Sequence, residues 1–188
     1  MGYTHYYRVA RKYDEKRWGN LIKDVKKLLE LPPPEYLSIS WQSGEPYQLQ
    51  TLDDIINSGS ASGYYNIDET EISFNGIGEG AHEQFQLYQR MPPEVFERHE
   101  DFNKRTTDID FNHPYFEFTK TARKPYDVVV CCCLILAKMH LRKNISITSD
   151  GGLEDGWEAA IKIINDNFSY KTKWDNHEQT IVRVDRYG

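Results

Sequence analysis

A chain of 188 residues with 23 Lys and Arg against 29 Asp and Glu carries a net charge of −6, so it lacks the basic excess that coating a long nucleic acid demands. With 39% hydrophobic and 28% charged residues it is too apolar to stay disordered and too polar for a membrane protein. Its longest apolar run, Val128 to Ala137, reaches about 15 Å as a helix, half of a bilayer's hydrocarbon core. The amino end, MGYTHYYRVARKYDEKRW, has no apolar stretch of secretory type, so the expectation is a cytoplasmic protein without a membrane partner.

In chain order, Gly2 to Ala10 reads as a strand, and Lys16 to Leu31 as an amphipathic helix with Trp18, Leu21, Ile22, Val25, Leu28 and Leu29 on one face. Pro32, Pro33 and Pro34 end it. Tyr36 to Trp41 alternates apolar residues with serines and predicts a second strand. Gln42 to Ser62 is polar and reads as a surface loop with one helical turn at Leu52 to Ile56. Glu71 to Phe74 and Glu83 to Tyr88 flank Asn75-Gly-Ile-Gly-Glu-Gly-Ala-His82, which predicts a β-hairpin with a glycine-rich tip. Gly76-x-Gly78 is no dinucleotide fingerprint, because that motif must open a long helix. Residues 94 to 114 read as a charged surface segment or short helix.

The last third has the clearest pattern. Tyr115 to Thr119 is a strand, Pro125 to Leu141 a buried helix starting at its proline, Ile145 to Thr148 a strand, and Asp155 to Phe168 an amphipathic helix. Strand, helix and strand joined this way predict a right-handed crossover between parallel strands. Thr180 to Val184 adds an edge strand. The expectation is one α+β domain over residues 1–188, with a mixed sheet and about three main helices packed on it.

Chemistry concentrates at the crossover. Lys120, Thr121, Arg123 and Lys124 stand just before the buried helix, whose free N–H groups and positive dipole end attract an anion. Asp127 offers the competing reading, in which the dipole is already compensated. If the two flanking strands are parallel, Ser149 and Asp150 lie beside this cluster, at the carboxyl ends where such sheets bind ligands; capping of the next helix is the plainer role for each alone.

His82 and Glu83 on the hairpin are acid/base candidates, although strand neighbours face opposite sides. His5 reads as a satisfied core or edge histidine. His99, His113 and His177 sit in polar segments, and His140 suits a helix end. Cys131, Cys132 and Cys133 point about 100° apart on a helix and cannot converge on one metal; they read as buried hydrophobes. No nucleophile elbow, P-loop or metal pattern emerges, so no catalytic residue, metal or cofactor is expected.

Met1-Gly-Tyr-Thr-His-Tyr6, Phe74-Asn-Gly76 with His82-Glu83, Lys120-Thr-Ala-Arg-Lys-Pro-Tyr-Asp127 and Ser149-Asp150-Gly151 together resemble a family of small phage and bacterial proteins beginning Gly-Tyr-Thr-His-Tyr. The resemblance spans most of the chain and brings no assigned activity. It implies a phage or prophage setting, hence the host cytoplasm, where small proteins that sequester nucleotide immune signals are a known class. The triple cysteine departs from the Ala, Val or Leu expected there.

The first hypothesis is therefore a non-catalytic sponge for a small phosphorylated or nucleotide-derived ligand. Lys120, Arg123 and Lys124 would hold phosphate, with Thr121, Ser149 and Asp150 beside them. Asn75, His82 and Tyr6 would contact base or sugar, drawing on the 13 Tyr and 4 Trp for stacking. An enzyme cleaving such a ligand, with His82 or His5 as base and Glu83 or Asp150 assisting, is the second hypothesis. A protein-binding inhibitor using Asp53, Asp54 and the 94 to 110 segment is the third. A homo-oligomer is left open.

Overall fold

The computed structural model describes residues 2–42, 45–56, 65–103 and 115–184. Strand β1 (Thr4–Val9) leads into helix α1 (Glu15–Leu29). Asp14 caps that helix by accepting the Arg17 N–H at 2.9 Å, and its predicted apolar stripe is buried throughout. The strand expected from Tyr36 starts later. A 3-10 turn takes Glu35–Leu37, closed by the Ser38 hydroxyl on the Glu35 carbonyl at 2.7 Å, and β2 covers Ile39–Gln42. It pairs with β3 (Glu45–Gln48), so the stretch expected to be loop contains half of a hairpin. Helix α2 (Asp53–Ile56) is the expected helical turn, and Ile55 and Ile56 are buried. Residues 57 to 62 of that expected loop lie outside the described residues.

β4 (Asn66–Ile67), β5 (Glu71–Phe74) and β6 (Phe85–Tyr88) form one antiparallel sheet in that order. The predicted hairpin is β5 and β6, with Phe74 opposite Phe85. Helix α3 (Pro93–Asn103) is the short helix of the charged segment, and residues 104–114 lie outside the described residues. Strand β7 (Tyr115–Lys120) follows, then α4 (Asp127–Leu141) and β8 (Ile145–Ser149).

Helix α4 begins two residues after Pro125 rather than at it. Lys124 N–H and Asp127 N–H bond back to the Thr121 and Lys124 carbonyls at 3.0 and 2.8 Å, which holds Thr121 to Tyr126 in turns. Helix α5 (Glu158–Asn167) also begins later than expected. Asp155 and Gly156 are non-helical inside a wide turn over Leu153–Trp157, with Gly156 at φ +99°, a region that glycine enters without a side-chain clash. The edge strand expected at the carboxyl end is β10 (Thr180–Arg183), paired with β9 (Thr172–Asp175).

The chain is thus α+β, with four helices of ten residues or more among the described residues where about three were expected. Every strand pair among the described residues is antiparallel. The central sheet runs β7-β1-β8, so β7 and β8 point the same way, as predicted, but β1 lies between them and no adjacent parallel pair forms. Their carboxyl ends still share one edge, with Lys120 opposite Thr4 and Ser149 opposite His5.

Along β1 the side chains alternate: His5, Tyr7 and Val9 are buried and Tyr6 and Arg8 half-buried. Residues Asp127 to Ala137 of α4 are all buried, and α4 packs between α1, α5 and β8. Each large apolar side chain in that layer stabilises the fold by roughly 1.5–3 kcal/mol. No helix of the described residues is long and apolar enough to cross a membrane.

Candidate functional site

Four separated segments meet where β7 and β8 end. The Tyr3 carbonyl accepts the N–H groups of Thr121 and Ala122 at 2.9 and 3.1 Å, and the Thr4 carbonyl accepts Asp150 N–H at 3.0 Å. The hairpin tip joins them through Glu83: its N–H bonds the Lys120 carbonyl at 3.2 Å, and its carboxylate accepts Lys120 N–H at 2.9 Å. The Tyr126 hydroxyl donates to the Glu83 carbonyl at 2.6 Å. Glu83, expected as an acid/base candidate, is a clamp between hairpin and sheet.

The nine expected site residues divide into four groups. Thr121 and Ser149 point inward and join His5. Its Nδ1 lies 2.7 Å from Ser149 Oγ, and its Nε2 lies 2.8 Å from Asp127 Oδ1. The Thr121 hydroxyl donates to the same Oδ1. His5 is wholly buried and Asp127 nearly so, so the chain Ser149, His5, Asp127, Thr121 is an interior polar network. The rings of Tyr3 and Trp157 meet His5 edge-on, at 5.0 and 5.2 Å. The Cys131 sulfur lies 3.6 Å from His5 Nε2.

Arg123 and Lys124 form the second group. Thr121 to Lys124 is a tight turn whose two central residues, Ala122 and Arg123, have φ of +51° and +57°, the left-handed pair of a type I′ turn. Non-glycine residues pay for that region with strain, which persists where neighbours fix it and gathers at ligand clamps. The turn carries the Arg123 guanidinium over the Tyr3 ring, 4.4 Å from its centroid, where it bonds Asp155 Oδ1 at 2.8 Å. That carboxylate raises the already high pKa of the guanidinium. Lys124 donates to the Glu79 carbonyl at 2.8 Å.

Tyr6 and Asp150 make the third group. By strand alternation Tyr6 faces away from His5, and its hydroxyl donates to Asp150 Oδ1 at 2.8 Å, which raises the phenol's pKa. Tyr6 stacks on Phe116, 5.9 Å between centroids, beside the exposed Phe118. Lys120 lies on the same face, two residues beyond Phe118.

Asn75 and His82 form the last group, on the hairpin. Asn75 is buried and braces the tip from within: its amide donates to the His82 carbonyl at 2.9 Å and accepts Gly76 and His82 N–H at 2.7 and 3.0 Å. The His82 side chain is exposed.

An open cleft of about 490 Å³ lies beside the second group, lined by Arg123, Lys124, Asp127, Glu154, Asp155, Glu158 and Tyr36 among others. Tyr36 is 66% exposed. The sequence reading placed this tyrosine in a strand and gave it no role; its signal was only its membership of the tyrosine surplus. Asp127 is the second residue to be revised, since besides charging the first turn of α4 it anchors the buried network.

Three further histidines are also partnered. His99 meets Glu117 at 2.7 Å and His140 meets Asp24 at 2.8 Å, whereas His177 pairs with Glu178 in the open; His113 lies outside the described residues. The three cysteines are free and buried, as expected. Comparison with protein-family models, curated proteins and solved structures finds no match for this chain.

Proposed function

We propose that this chain is a binding protein for a small phosphorylated or nucleotide-derived ligand, seated in the cleft at the amino end of α4 and held without chemical change. The observation that carries this reading is the cleft itself: Arg123, Lys124 and an exposed Tyr36 line one opening of about 490 Å³, within the size range of small-molecule sites.

Arg123 offers a planar fork that a phosphate oxygen pair fits. Its present partner, Asp155, is a half-exposed carboxylate, and solvent weakens such a pair, so a doubly charged phosphate can take its place. The carboxylates of Glu154, Asp155 and Glu158 repel a bare phosphate but suit a nucleotide, whose sugar hydroxyls donate to acidic groups. The Tyr36 ring supplies a stacking face for a base. In the phage setting that the sequence resemblance implies, such a protein would act as a sponge for a host immune nucleotide.

Thermal shift against cyclic dinucleotides, ADP-ribose, its cyclic forms and simple nucleotides tests the reading. A true ligand at 100 times its dissociation constant adds about 2.7 kcal/mol, and Arg123→Glu abolishes the shift. A folded sample that none of these compounds stabilises contradicts it.

Cleavage of the same ligand is the second reading, favoured by the order Ser149, His5, Asp127, which is that of nucleophile, base and orienting acid. It ranks second because the cleft opens at Asp127, while neither Ser149 nor His5 lines it. Recovery of intact ligand after heat denaturation supports binding alone, and conversion supports the enzyme.

A further inference from the structure

Behind the cleft, three side chains of different chemistry converge. Asp127 and Cys131 are four residues apart on α4 and therefore share a face, and His5 of β1 meets that face. One ligand atom from each lies within 4.8 Å of the other two. His5 Nε2 is 3.6 Å from Cys131 Sγ and 2.8 Å from Asp127 Oδ1, and Sγ is 4.0 Å from Asp127 Oδ2. A tetrahedral zinc centre with bonds of about 2.0–2.3 Å sets its ligand atoms about 3.3–3.6 Å apart; the His5–Cys131 spacing already fits, and the Asp127 carboxylate, which bonds His5 through Oδ1, need only turn to bring Oδ2 onto the ion.

We propose that His5, Asp127 and Cys131 bind one Zn²⁺ ion, with the fourth position supplied by water or a ligand atom from the cleft.

Four observations support the assignment. The first is charge. A buried carboxylate and a buried thiolate together with Zn²⁺ and a neutral imidazole sum to zero, so the assembled site puts no net charge in the interior.

The second is the surrounding hydrogen bonds. A metal-bound imidazole characteristically donates its other N–H to a fixed acceptor, and ligating carboxylates are themselves hydrogen-bonded. Ser149 Oγ stands 2.7 Å from His5 Nδ1, and the Thr121 hydroxyl donates to Asp127 Oδ1. Oδ2 of the same buried carboxylate has no partner nearer than the Cys131 sulfur among the described residues.

The third is access. Asp127 lines the cleft, and the residue above it is Gly156, where a Cβ would stand 2.6 Å from Asp127 Oδ2 and 3.7 Å from Cys131 Sγ. A glycine here leaves the ligand atoms reachable. The fourth is the donor set, since sulfur, nitrogen and oxygen in one tetrahedral site select zinc over the hard cations.

On binding, Cys131 releases its thiol proton to solvent; the Nε2 proton that faces Asp127 leaves as well and Nδ1 takes one up, so the neutral imidazole ligates through Nε2 and donates its Nδ1–H to Ser149. No bond of the protein breaks. Cys132 turns toward the Ala160 carbonyl, 3.9 Å away, and takes no part.

The site goes beyond the ligand reading and is tested with no phosphorylated compound present, so the two can fail separately. Metal-depleted full-length chain is titrated with Co²⁺ as a spectroscopic probe for Zn²⁺. The expected result is a thiolate-to-cobalt charge-transfer band with tetrahedral d–d absorption, saturating at one ion per chain. Cys131→Ser removes that band and Cys132→Ser keeps it, while Ser149→Ala keeps it with a 10- to 100-fold weaker affinity. X-ray absorption of the Zn²⁺-loaded wild-type chain needs no variant and should show one sulfur at about 2.3 Å beside nitrogen and oxygen at about 2.0 Å. A wild-type chain without the charge-transfer band, or zinc bound by nitrogen and oxygen alone, overturns the proposal.

Discussion

The two ends of α4 carry the same pair of residue types in different settings. At the amino end His5, sealed from solvent, meets the nearly buried Asp127, with a thiol against the ring and a cleft beside the acid. At the carboxyl end His140 meets Asp24 on α1 at 2.8 Å, and the Tyr170 hydroxyl donates to the same carboxylate at 2.7 Å. That second cluster is only partly buried and ties α1, α4 and the chain after α5 together through the Tyr170 hydroxyl. A histidine and an aspartate in contact are therefore not in themselves a site. The amino-end cluster is distinguished by near-complete burial next to an opening, because polar groups cost stability in an interior and apolar residues of like volume would cost less.

Removing each acid puts that contrast to the test. Asp127→Ala leaves His5 Nε2 buried without its acceptor and leaves the Thr121 hydroxyl only the Tyr3 carbonyl at 3.5 Å, and an orphaned buried donor costs about 1–3 kcal/mol. Asp24→Ala leaves His140 and Tyr170 3.0 Å apart, able to bond one another and water, for a loss of about 1 kcal/mol. Urea melts should separate the two variants clearly, and equal losses would erase the distinction between the ends.

Gly156→Ala comes next in size. Its φ of +99° strains any side chain, which costs roughly 1–3 kcal/mol, and its methyl would crowd Asp127. Thermal melts should show the loss together with weaker Co²⁺ binding; a neutral effect would mean the turn over Leu153–Trp157 relaxes freely and does not guard the carboxylate.

Arg123→Glu reverses one exposed charge and removes the pair with Asp155 and the contact over the Tyr3 ring. The unliganded melting temperature should stay close to that of the wild type while ligand-dependent stabilisation disappears, which fluorescence melts read directly. If the variant retains the full stabilisation, the phosphate contact lies elsewhere.

The smallest effect lies far from either end of α4. Asp68 accepts the Thr70 hydroxyl and the N–H groups of Thr70 and Glu71 at the turn into β5, and these bonds hold its pKa below the usual carboxylate value, the Thr70 hydroxyl first. A carboxyl lowered on folding contributes stability that is complete above its unfolded pKa and fades as pH falls through its folded one. Melts between pH 5 and pH 2.5 should therefore show a shallower acid loss for Asp68→Asn than for the parent chain.

Much of the fold was legible because apolar spacing reports burial. The α1 stripe, the run inside α4 and the β5–β6 hairpin stand where the pattern put them. The starts of α4 and α5 were not legible. A proline suggested one and an acidic residue the other, but turns held by distant carbonyls and by Gly156 delayed both. The strand of β2 was signalled by alternating apolar residues, but its partner β3 was hidden in polar sequence, where backbone pairing leaves little trace.

The site was half legible. Arg123 and Lys124 announced themselves as a run of cations. His5, Asp127 and Cys131 did not, since each has an ordinary role alone and their contact depends on β1 lying between β7 and β8. The i, i+4 spacing of Asp127 and Cys131 was the one local sign.

The most direct measurement is a structure of the chain with whichever compound of the nucleotide panel stabilises it most. Its phosphate should sit on the Arg123 guanidinium in place of Asp155, with the base against Tyr36. A ligand seated on the opposite sheet face, against Tyr6 and Phe118, with Arg123 still paired to Asp155, would contradict it.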